Sequence, residues 1–150
     1  MIEIKAPDES PDNDKNKKVF LAGTISESKI DWQKNIVENI SGNITFYNPK
    51  RLIWDKTWEQ KISNPQFKQQ VVWELKHLEK ADIVIMYLEE DTISPISLME
   101  FGLYARSGKM VVYCPEGFWR KGNVDVVCEM YNIPQVEKFE ELITLIKYTH

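Results

Sequence analysis

One carboxylate, Glu100, lies in the middle of an apolar segment that spans residues 94–109. Met99 and Phe101 flank it, and Ile96 and Leu103 lie three or four residues away, which is the spacing of one helix face. The pattern predicts a helix on which Glu100 is covered by apolar neighbours. Burying an unpaired carboxylate is costly, and proteins accept that cost where the group acts as a nucleophile or an acid. The alternative is that Glu100 lies on the exposed stripe of an amphipathic helix.

Two further acids could share a site with Glu100. Glu74 lies in a predicted helix, where an acid is equally typical of a solvated face. Asp55 lies between Trp54 and Trp58 in a segment with the composition of a loop. An aspartate there could contact a base or a sugar, and a tryptophan could cover a flat ring. The alternative is that Asp55 only forms an Asx turn.

Other catalytic chemistries find little support in the sequence. The two histidines, His77 and His150, do not pair with a serine or cysteine in a recognisable pattern. The two cysteines, Cys114 and Cys128, form neither a disulfide framework nor a zinc pattern, so we expect both to be reduced and structural. The segment LAGTIS has one glycine, which is too few for a P-loop or a dinucleotide fingerprint. We therefore expect neither a metal nor a cofactor.

Composition and charge narrow the class of protein. The chain has 150 residues, enough for one domain with a sizeable core, and its 43% hydrophobic and 28% charged content is ordinary for a globular protein. The net charge is −4, and Lys and Arg are spread among acids, which argues against a nucleic-acid polymer as partner. The sequence has no apolar run long enough to span a membrane and no signal-peptide core. These features predict a cytoplasmic protein without a membrane partner.

Strand-like and helix-like segments alternate along the chain. Residues 1–16 are polar and acidic and predict a flexible N-terminal tail, and residues 17–150 then form a single domain. Apolar runs predict strands at residues 17–23, 43–49, 82–88, 110–114 and 133–136. Amphipathic or apolar patterns predict helices within residues 28–41, 65–81, 94–109, 123–132 and 137–150. Residues 50–64 are expected to be an ordered loop with a short helical piece.

The alternation of strands and helices predicts an α/β fold, a flavodoxin-like or Rossmann-like three-layer sandwich. Right-handed crossovers favour a five-stranded parallel sheet with the order 2-1-3-4-5. Ligands of such sheets bind beyond the carboxyl ends of the strands. The pocket is therefore expected among the turns after Gly23, Asn48, Leu88 and Cys114.

The helix that contains Glu100 has a recognisable start. Ser94 is a favourable N-cap residue, Pro95 suits the first helical position, and Ser97 falls in the first turn. The N-terminal end of this helix should point at the expected pocket, with Glu100 a turn or so inside. We therefore count Ser94 and Ser97 among the candidate binding residues.

Five blocks of the sequence resemble a known family. They cover most of the chain from Lys18 to Asp125 and read KVFLAGTIS, FYNPKRLIWDKTWEQ, VVWELKHLEKADIVIMYL, SPISLMEFGLYARSGKMVV and GFWRKGNVD. Together they resemble the nucleoside 2-deoxyribosyltransferase-like family, whose wider superfamily includes 2'-deoxynucleoside 5'-monophosphate N-glycosidases. Because several blocks agree in order, the resemblance is more specific than any single motif.

The resemblance implies a nucleoside 2-deoxyribosyltransferase that cleaves the N-glycosidic bond of 2'-deoxynucleosides. Glu100 matches the family's nucleophile, which forms a covalent glycosyl-Glu intermediate before the sugar passes to another base with net retention. Glu74 matches an acid that family members direct at the nucleobase, so it would protonate the departing base.

The resemblance also implies binding residues. The turn of Gly23, Thr24 and Ile25 would line the base and the sugar, and Trp54 and Asp55 would close over the base. The ligands would be small molecules, namely nucleosides or nucleotides and free nucleobases.

A shared site between subunits follows from the same resemblance. Asn123 resembles a residue that some members contribute from a neighbouring subunit to the sugar 5'-hydroxyl, and Asp125 is an alternative for that position. Such a site implies a homodimer or a larger homo-oligomer.

Ser94 leaves the substrate open. Classical transferases have an aspartate six residues before the nucleophile, whereas monophosphate N-glycosidases resemble this chain in having a serine there. A hydroxyl at a helix N-terminus can hold a phosphate. One alternative function is therefore a 2'-deoxynucleoside 5'-monophosphate N-glycosidase, which is a hydrolase. A second is a nucleotide-binding module without catalysis.

Overall fold

A parallel β-sheet forms the centre of the protein in a computed structural model that describes residues 1–148. Within those residues the sheet has six strands, in the spatial order β1-β3-β2-β4-β5-β6. Their bounds are β1 Ile2–Lys5, β2 Lys17–Gly23, β3 Ile44–Asn48, β4 Ile83–Tyr87, β5 Met110–Tyr113 and β6 Gln135–Val136. The predicted α/β class and the Rossmann-like open sheet are confirmed. The order of the five predicted strands is also as expected, and β1 is added beside β3.

Helices cover both faces of the sheet. Their bounds are α1 Trp32–Asn39, α2 Pro65–Lys80, α3 Pro95–Tyr104, α4 Lys121–Met130 and α5 Phe139–Tyr148. The buried residues of α2, α3 and α4 belong to one apolar core, and those of α1 and α5 belong to the other. No helix in residues 1–148 combines the length and the apolar composition that crossing a membrane requires.

The N-terminal segment is ordered, which corrects the expectation of a flexible tail over residues 1–16. Strand β1 pairs in parallel with β3, with Ile2 opposite Thr45. Beyond the strand, the Trp73 indole N–H donates to the carbonyl oxygen of Asp8 at 2.7 Å. A strand of four residues among charged neighbours gives a weak sequence signal, because its stability comes from the hydrogen bonds that it forms with β3.

The segment before α2 also differs from the prediction. Residues 50–64 form turns and irregular backbone without the expected short helical piece. The loop ends at Asn64, whose side-chain oxygen accepts hydrogen bonds from the backbone N–H groups of Gln66 and Phe67 at 3.1 Å and caps α2. The last predicted helix reached residue 150, and Thr149 and His150 lie outside the described residues.

Gly23 sets the close approach of β2 and β4 at their carboxyl ends. Its φ of +134° lies in a region that L side chains rarely adopt, and an added Cβ would lie 2.0 Å from the carbonyl oxygen of Tyr87. The next residue, Thr24, donates its backbone N–H to that same oxygen at 2.8 Å. The buried Trp32 stacks on Tyr87 and donates its indole N–H to the Thr24 carbonyl oxygen at 2.6 Å. These contacts fix the turn after β2 where a ligand site is expected.

Candidate active site

The inward face of α3 presents three buried polar side chains towards the carboxyl edge of the sheet. Ser94, Ser97 and Glu100 are spaced three residues apart, and only 7% of Glu100 is exposed. Ser97 and Glu100 are neighbours on one side of α3, and Ser94 immediately precedes the helix. The predicted burial of Glu100 therefore agrees with the structure, and the exposed-stripe alternative does not.

The apolar neighbours that suggested this burial lie mostly on the other side of α3. Ile96, Met99 and Leu103 are 55%, 50% and 59% exposed, whereas Phe101 packs in the core. Glu100 is covered because the side of α3 that carries it packs on the sheet. The outer face of α3 is therefore apolar and exposed to solvent.

Burial and a neighbouring carboxylate change the ionisation of Glu100. Loss of hydration and, to a smaller extent, the negative charge of Glu74 together raise the pKa of its carboxyl to about 8. Burial also raises the pKa of the half-buried Glu74, while a hydrogen bond from Gln70 opposes that increase. The two carboxyls are thus close enough to interact, and they disfavour being ionised together.

Gln70 fixes the position of Glu74, although nothing in the sequence had marked it. Its side-chain Nε2 donates to Glu74 Oε1 at 2.9 Å and to the carbonyl oxygen of Pro49 at 2.8 Å. Because the carbonyl of Pro49 can only accept, this contact settles which end of the amide faces Glu74. Gln70 lies one helical turn before Glu74 on α2, and that spacing is the signal that could have identified it.

Three buried hydroxyl groups join the turns that follow β2 and β4. The oxygen of Ser94 lies 2.6 Å from that of Thr24 and 2.9 Å from that of Thr92. The Thr92 hydroxyl also donates to the carbonyl oxygen of Glu89 at 2.8 Å, and the Glu89 backbone N–H donates to the Thr24 oxygen at 3.2 Å. The structure brings the predicted residues Thr24 and Ser94 together, and it adds Thr92.

Ser94 does not cap α3 with its side chain, which corrects the N-cap interpretation. It has the left-handed conformation, with φ 47° and ψ 55°, and its hydroxyl forms no cap hydrogen bond. Such a conformation costs on the order of 1 kcal/mol for a residue other than glycine. The hydroxyl cluster offsets part of this cost because it engages the Ser94 side chain.

Glu27, in the turn after β2, binds the backbone immediately before α3. The Glu27 carboxylate accepts the backbone N–H of Ser94 at 3.2 Å through Oε1 and that of Ile93 at 3.3 Å through Oε2. A carboxylate here also interacts favourably with the partial positive charge of the helix N-terminus. Nothing in the sequence indicates this role, because Glu27 lies in a polar turn about 70 residues before the helix.

The candidate binding residues after β3 have local partners. Asn48 is buried, donates to Glu3 at 3.0 Å and accepts the backbone N–H of Lys50 at 3.0 Å, so it fixes the end of the strand. Asp55 is exposed and accepts from both the backbone N–H and the hydroxyl of Thr57, as in the Asx-turn alternative. Trp54 is partly exposed and forms an edge-to-face pair with its neighbour Trp58 across a centroid distance of 4.9 Å.

The remaining candidates lie in the turn after β2 or on α4. Ile25 is half-buried beside Thr24 in the turn after β2. Asn123 is exposed on α4, while Asp125 accepts from Lys121 at 3.0 Å and from Gln135 at 3.1 Å. The ion pair with Lys121 lowers the Asp125 pKa against the opposing effect of burial. The Asn123 side chain is thus exposed to solvent, whereas the Asp125 carboxylate is already bound by Lys121 and Gln135.

Two surface depressions of the molecule do not contain Glu100. One lies between α1 and the end of β3 and is lined by charged residues of both signs, and the other lies at the amino edge of the sheet. Within residues 1–148, no cluster of three or more His, Cys, Asp or Glu side chains is arranged to hold a metal ion.

Comparison with solved structures places the fold among known proteins. A conserved protein from Enterococcus faecalis V583 superimposes with a TM-score of 0.62 at 19% sequence identity. The alignment covers 88% of this chain and 98% of that one. At this identity the likeness shows the fold alone. Among curated proteins, none matches the sequence of this chain.

Comparison with family models identifies the group of relatives. A model described as nucleoside 2-deoxyribosyltransferase like matches residues 16–118, which is more than two thirds of the chain. The matched region contains β2 to β5 together with Glu74, Ser94 and Glu100. The resemblance noted in the sequence is therefore confirmed, and the chain belongs to the nucleoside 2-deoxyribosyltransferase-like family.

Proposed function

We propose that the protein is a nucleoside 2-deoxyribosyltransferase, which moves a 2-deoxyribosyl group from one nucleobase to another. The observation that supports this most directly is the buried Glu100 carboxyl, whose pKa is raised to about 8 beside the second carboxyl, Glu74. Two interacting carboxyls with different surroundings are typical of sites that cleave glycosidic bonds. Membership of the family indicates that the substrates contain a 2-deoxyribosyl group and a nucleobase.

In the proposed reaction, a carboxylate oxygen of Glu100 bonds to C1' of the nucleoside as the C1'–N bond breaks. The electron pair of that bond stays on the base nitrogen, and Glu74 delivers its proton to the base. An incoming base then attacks C1', gives its own proton to Glu74, and releases the Glu100 carboxylate. Two inversions at C1' give net retention.

In the free site the shared proton lies on Glu100, because its pKa of about 8 is raised by burial and by the negative charge of Glu74. The proposed reaction needs this proton on Glu74 while Glu100 is ionised, so in this proposal the proton passes from Glu100 to Glu74 when the substrate binds. Because burial raises the pKa of both carboxyls and each disfavours the charge of the other, the pair retains a proton at a pH where isolated glutamates have lost theirs. The hydrogen bond from Gln70 holds Glu74 in place in either state.

The loop of residues 50–64 would close over the base. It presents Trp54 and Trp58 with Arg51 at 6.0 Å and 5.8 Å from their ring centroids. Stacking of a flat base on an exposed indole is favourable, and the loop has no regular structure that would hold it open. In this proposal Trp54 covers the base and Asp55 leaves its turn to contact it.

A hydrolase of 2'-deoxynucleoside 5'-monophosphates is the second candidate. Ser94 favours it, because this hydroxyl lies at the start of α3 beside the Thr24 and Thr92 hydroxyls. In that case water takes the place of the incoming base. A module that binds nucleotides without turnover is less well supported, because it gives no reason to bury Glu100.

One pair of assays distinguishes these functions. The protein is incubated with deoxyinosine and adenine, and the products are separated by chromatography. Formation of deoxyadenosine supports transfer. In parallel, each deoxynucleoside monophosphate is incubated alone, and release of sugar phosphate supports hydrolysis. Binding without either product would leave only the binding module.

Replacement of Glu74 by alanine is expected to slow purine exchange by about 10²- to 10⁴-fold, which is the usual contribution of a general acid. The physical reason is that the departing base then leaves as an anion. The measurement is kcat for deoxyinosine. Glu79→Ala serves as the control, because Glu79 lies on the same helix and accepts from Tyr104 at the surface. An unchanged rate in Glu74→Ala would reject its role as the acid.

We also propose that the protein forms a homodimer through the outer face of the helical layer made by α2, α3 and α4. Exposed apolar side chains lie on all three helices. These side chains are Val72, Leu75, Ile96, Met99, Leu103, Val126 and Met130. Several exposed apolar side chains on one helical layer favour an interaction surface there. Asn123 on α4 is exposed in the same layer, where it could reach a neighbouring subunit's site.

Leu103→Lys is expected to convert the dimer into a monomer, as measured by size-exclusion chromatography with light scattering. In a two-fold interface the substitution appears twice, so two charges would be buried without partners. Tyr148→Lys on α5 is the matched control, because this exposed side chain lies on the opposite side of the sheet. A Leu103→Lys protein with unchanged mass would exclude this face as the interface.

A further inference from the structure

The backbone N–H groups at the start of α3 are already bound to an anion from the chain itself. Glu27 accepts from Ser94 and Ile93 at 3.2 Å and 3.3 Å, one with each carboxylate oxygen. Free amides at a helix N-terminus are the usual place where proteins hold a phosphate group. The amides that Glu27 binds belong to Ile93 and Ser94, immediately before the first turn of α3, so its negative charge lies beside the place that a phosphate would take.

The neighbouring hydroxyls are engaged as well. The Ser94 hydroxyl contacts those of Thr24 and Thr92, and the Thr92 hydroxyl donates to the Glu89 carbonyl. A phosphate would have to break this cluster to gain donors from it. The Ser94 side chain is thus arranged to hold two turns together rather than to present a donor to an anion.

The charges around this end of α3 are mainly negative. Three acids follow β4 after Leu88, and the carboxylate of the first, Glu89, accepts the backbone N–H of Lys29 at 2.9 Å. Two cations are nearby in the fold. Lys29 lies 3.9 Å from Asp91, and Arg120 lies over the ring of Trp119, which donates its indole N–H to the Ile93 carbonyl. Each cation therefore has another contact.

The geometry of α3 relates this end of the helix to the reacting centre. Glu100 follows Ser94, the residue immediately before α3, by six residues, which is roughly 9 Å along the helix axis at 1.5 Å per residue. If C1' lies at the Glu100 carboxylate and the base extends towards Glu74, the 5' end of the sugar is directed to the start of α3. This step rests on the proposed function.

We propose that Glu27 determines substrate specificity, by accepting a hydrogen bond from an uncharged 5'-hydroxyl and excluding a 5'-phosphate. A hydroxyl can donate to a carboxylate, whereas a phosphate dianion can only repel it. The substrate class of the site is then the free 2'-deoxynucleoside. Ser94 contributes by fixing the turn and makes no contact with a phosphate.

The test compares a deoxynucleoside with its own 5'-monophosphate, deoxyinosine and deoxyinosine monophosphate, as substrates. We expect kcat/KM of the unmodified protein to favour the nucleoside at least 100-fold. Glu27→Gln retains an acceptor for the α3 amides but removes the charge, so the preference should fall about tenfold or more. Glu89→Gln removes one charge from the same pair of loops without touching these amides, and its preference should stay within about threefold of the unmodified value.

A binding measurement keeps this proposal separate from the proposed reaction. Isothermal titration uses Glu100→Gln and the double variant Glu100→Gln with Glu27→Gln, each with the same two ligands. Weak binding of the monophosphate that becomes about tenfold tighter in the double variant supports the proposal even if no turnover is found. Equal binding of the monophosphate to both variants, or no binding of either ligand, overturns it. Efficient cleavage of monophosphates by the unmodified protein also overturns it, while leaving Glu100 as the nucleophile.

Discussion

Glu100→Ala is expected to lower the rate of base exchange by at least about 10⁴-fold, which is the scale of loss when a covalent nucleophile is removed. Without the carboxylate there is no group in the proposed site to bond C1'. The measurement is deoxyadenosine formation from deoxyinosine and adenine. Intact mass spectrometry of the unmodified protein mixed with deoxyinosine alone should show a covalent deoxyribosyl adduct that the variant lacks.

The fold of this variant must be intact for the loss to be informative. Far-ultraviolet circular dichroism and a cooperative thermal transition would show this. Glu100→Gln is the matched variant, because it retains the size of the side chain and removes the negative charge. Near-normal turnover in either variant would remove Glu100 as the nucleophile, and the proposed mechanism with it.

Glu100→Gln is also expected to stabilise the protein at alkaline pH. The folded protein holds the Glu100 pKa at about 8, above the value of 4.5 for an unperturbed glutamate. Between these two values the folded state binds more protons than the unfolded state, so the free energy of unfolding falls as pH rises through this window. Each pKa unit corresponds to about 1.4 kcal/mol, which makes the full effect on the order of a few kcal/mol above pH 8.

The experiment follows urea unfolding of both proteins at pH 4, 7 and 9. The variant should be stabilised little at pH 4 relative to the unmodified protein, and its advantage should grow towards pH 9. The difference between the two proteins reports the Glu100 carboxyl together with its interaction with Glu74. Glu79→Gln, at the surface on α2, is the control for the loss of one glutamate. A Glu100→Gln advantage that does not change with pH would mean that the carboxyl titrates normally in the folded state.

Most of the fold could be predicted because the buried strands leave a strong signal. Strands β2 and β4 read as short apolar runs, and their alternation with amphipathic segments predicts a parallel sheet. Strand β1 could not be predicted in this way, because IEIK has only four residues and alternates charged with apolar side chains at the sheet edge. Its order depends on β3, which lies about 40 residues further along the chain.

The candidate site was predictable only in part. A carboxylate among apolar residues predicted the burial of Glu100, although Ile96 and Met99 lie on the exposed side of the same helix. Local sequence cannot tell which apolar face meets the sheet when both faces of a helix are apolar. The contacts of Glu27 with α3 depend on the left-handed conformation of Ser94 and on the meeting of two distant turns. Neither leaves a pattern in the sequence.

The position of β1 has a practical consequence for any shortened version of the protein. A boundary at Lys17 would remove the strand that pairs with β3 and would leave the backbone groups of β3 open along the sheet edge. Unpaired strand edges are templates on which further chains can assemble. It would also take away Glu3, the carboxylate that holds Asn48. Aggregation of such a trimmed protein would therefore report a damaged sheet edge and should not be taken as evidence of native self-association.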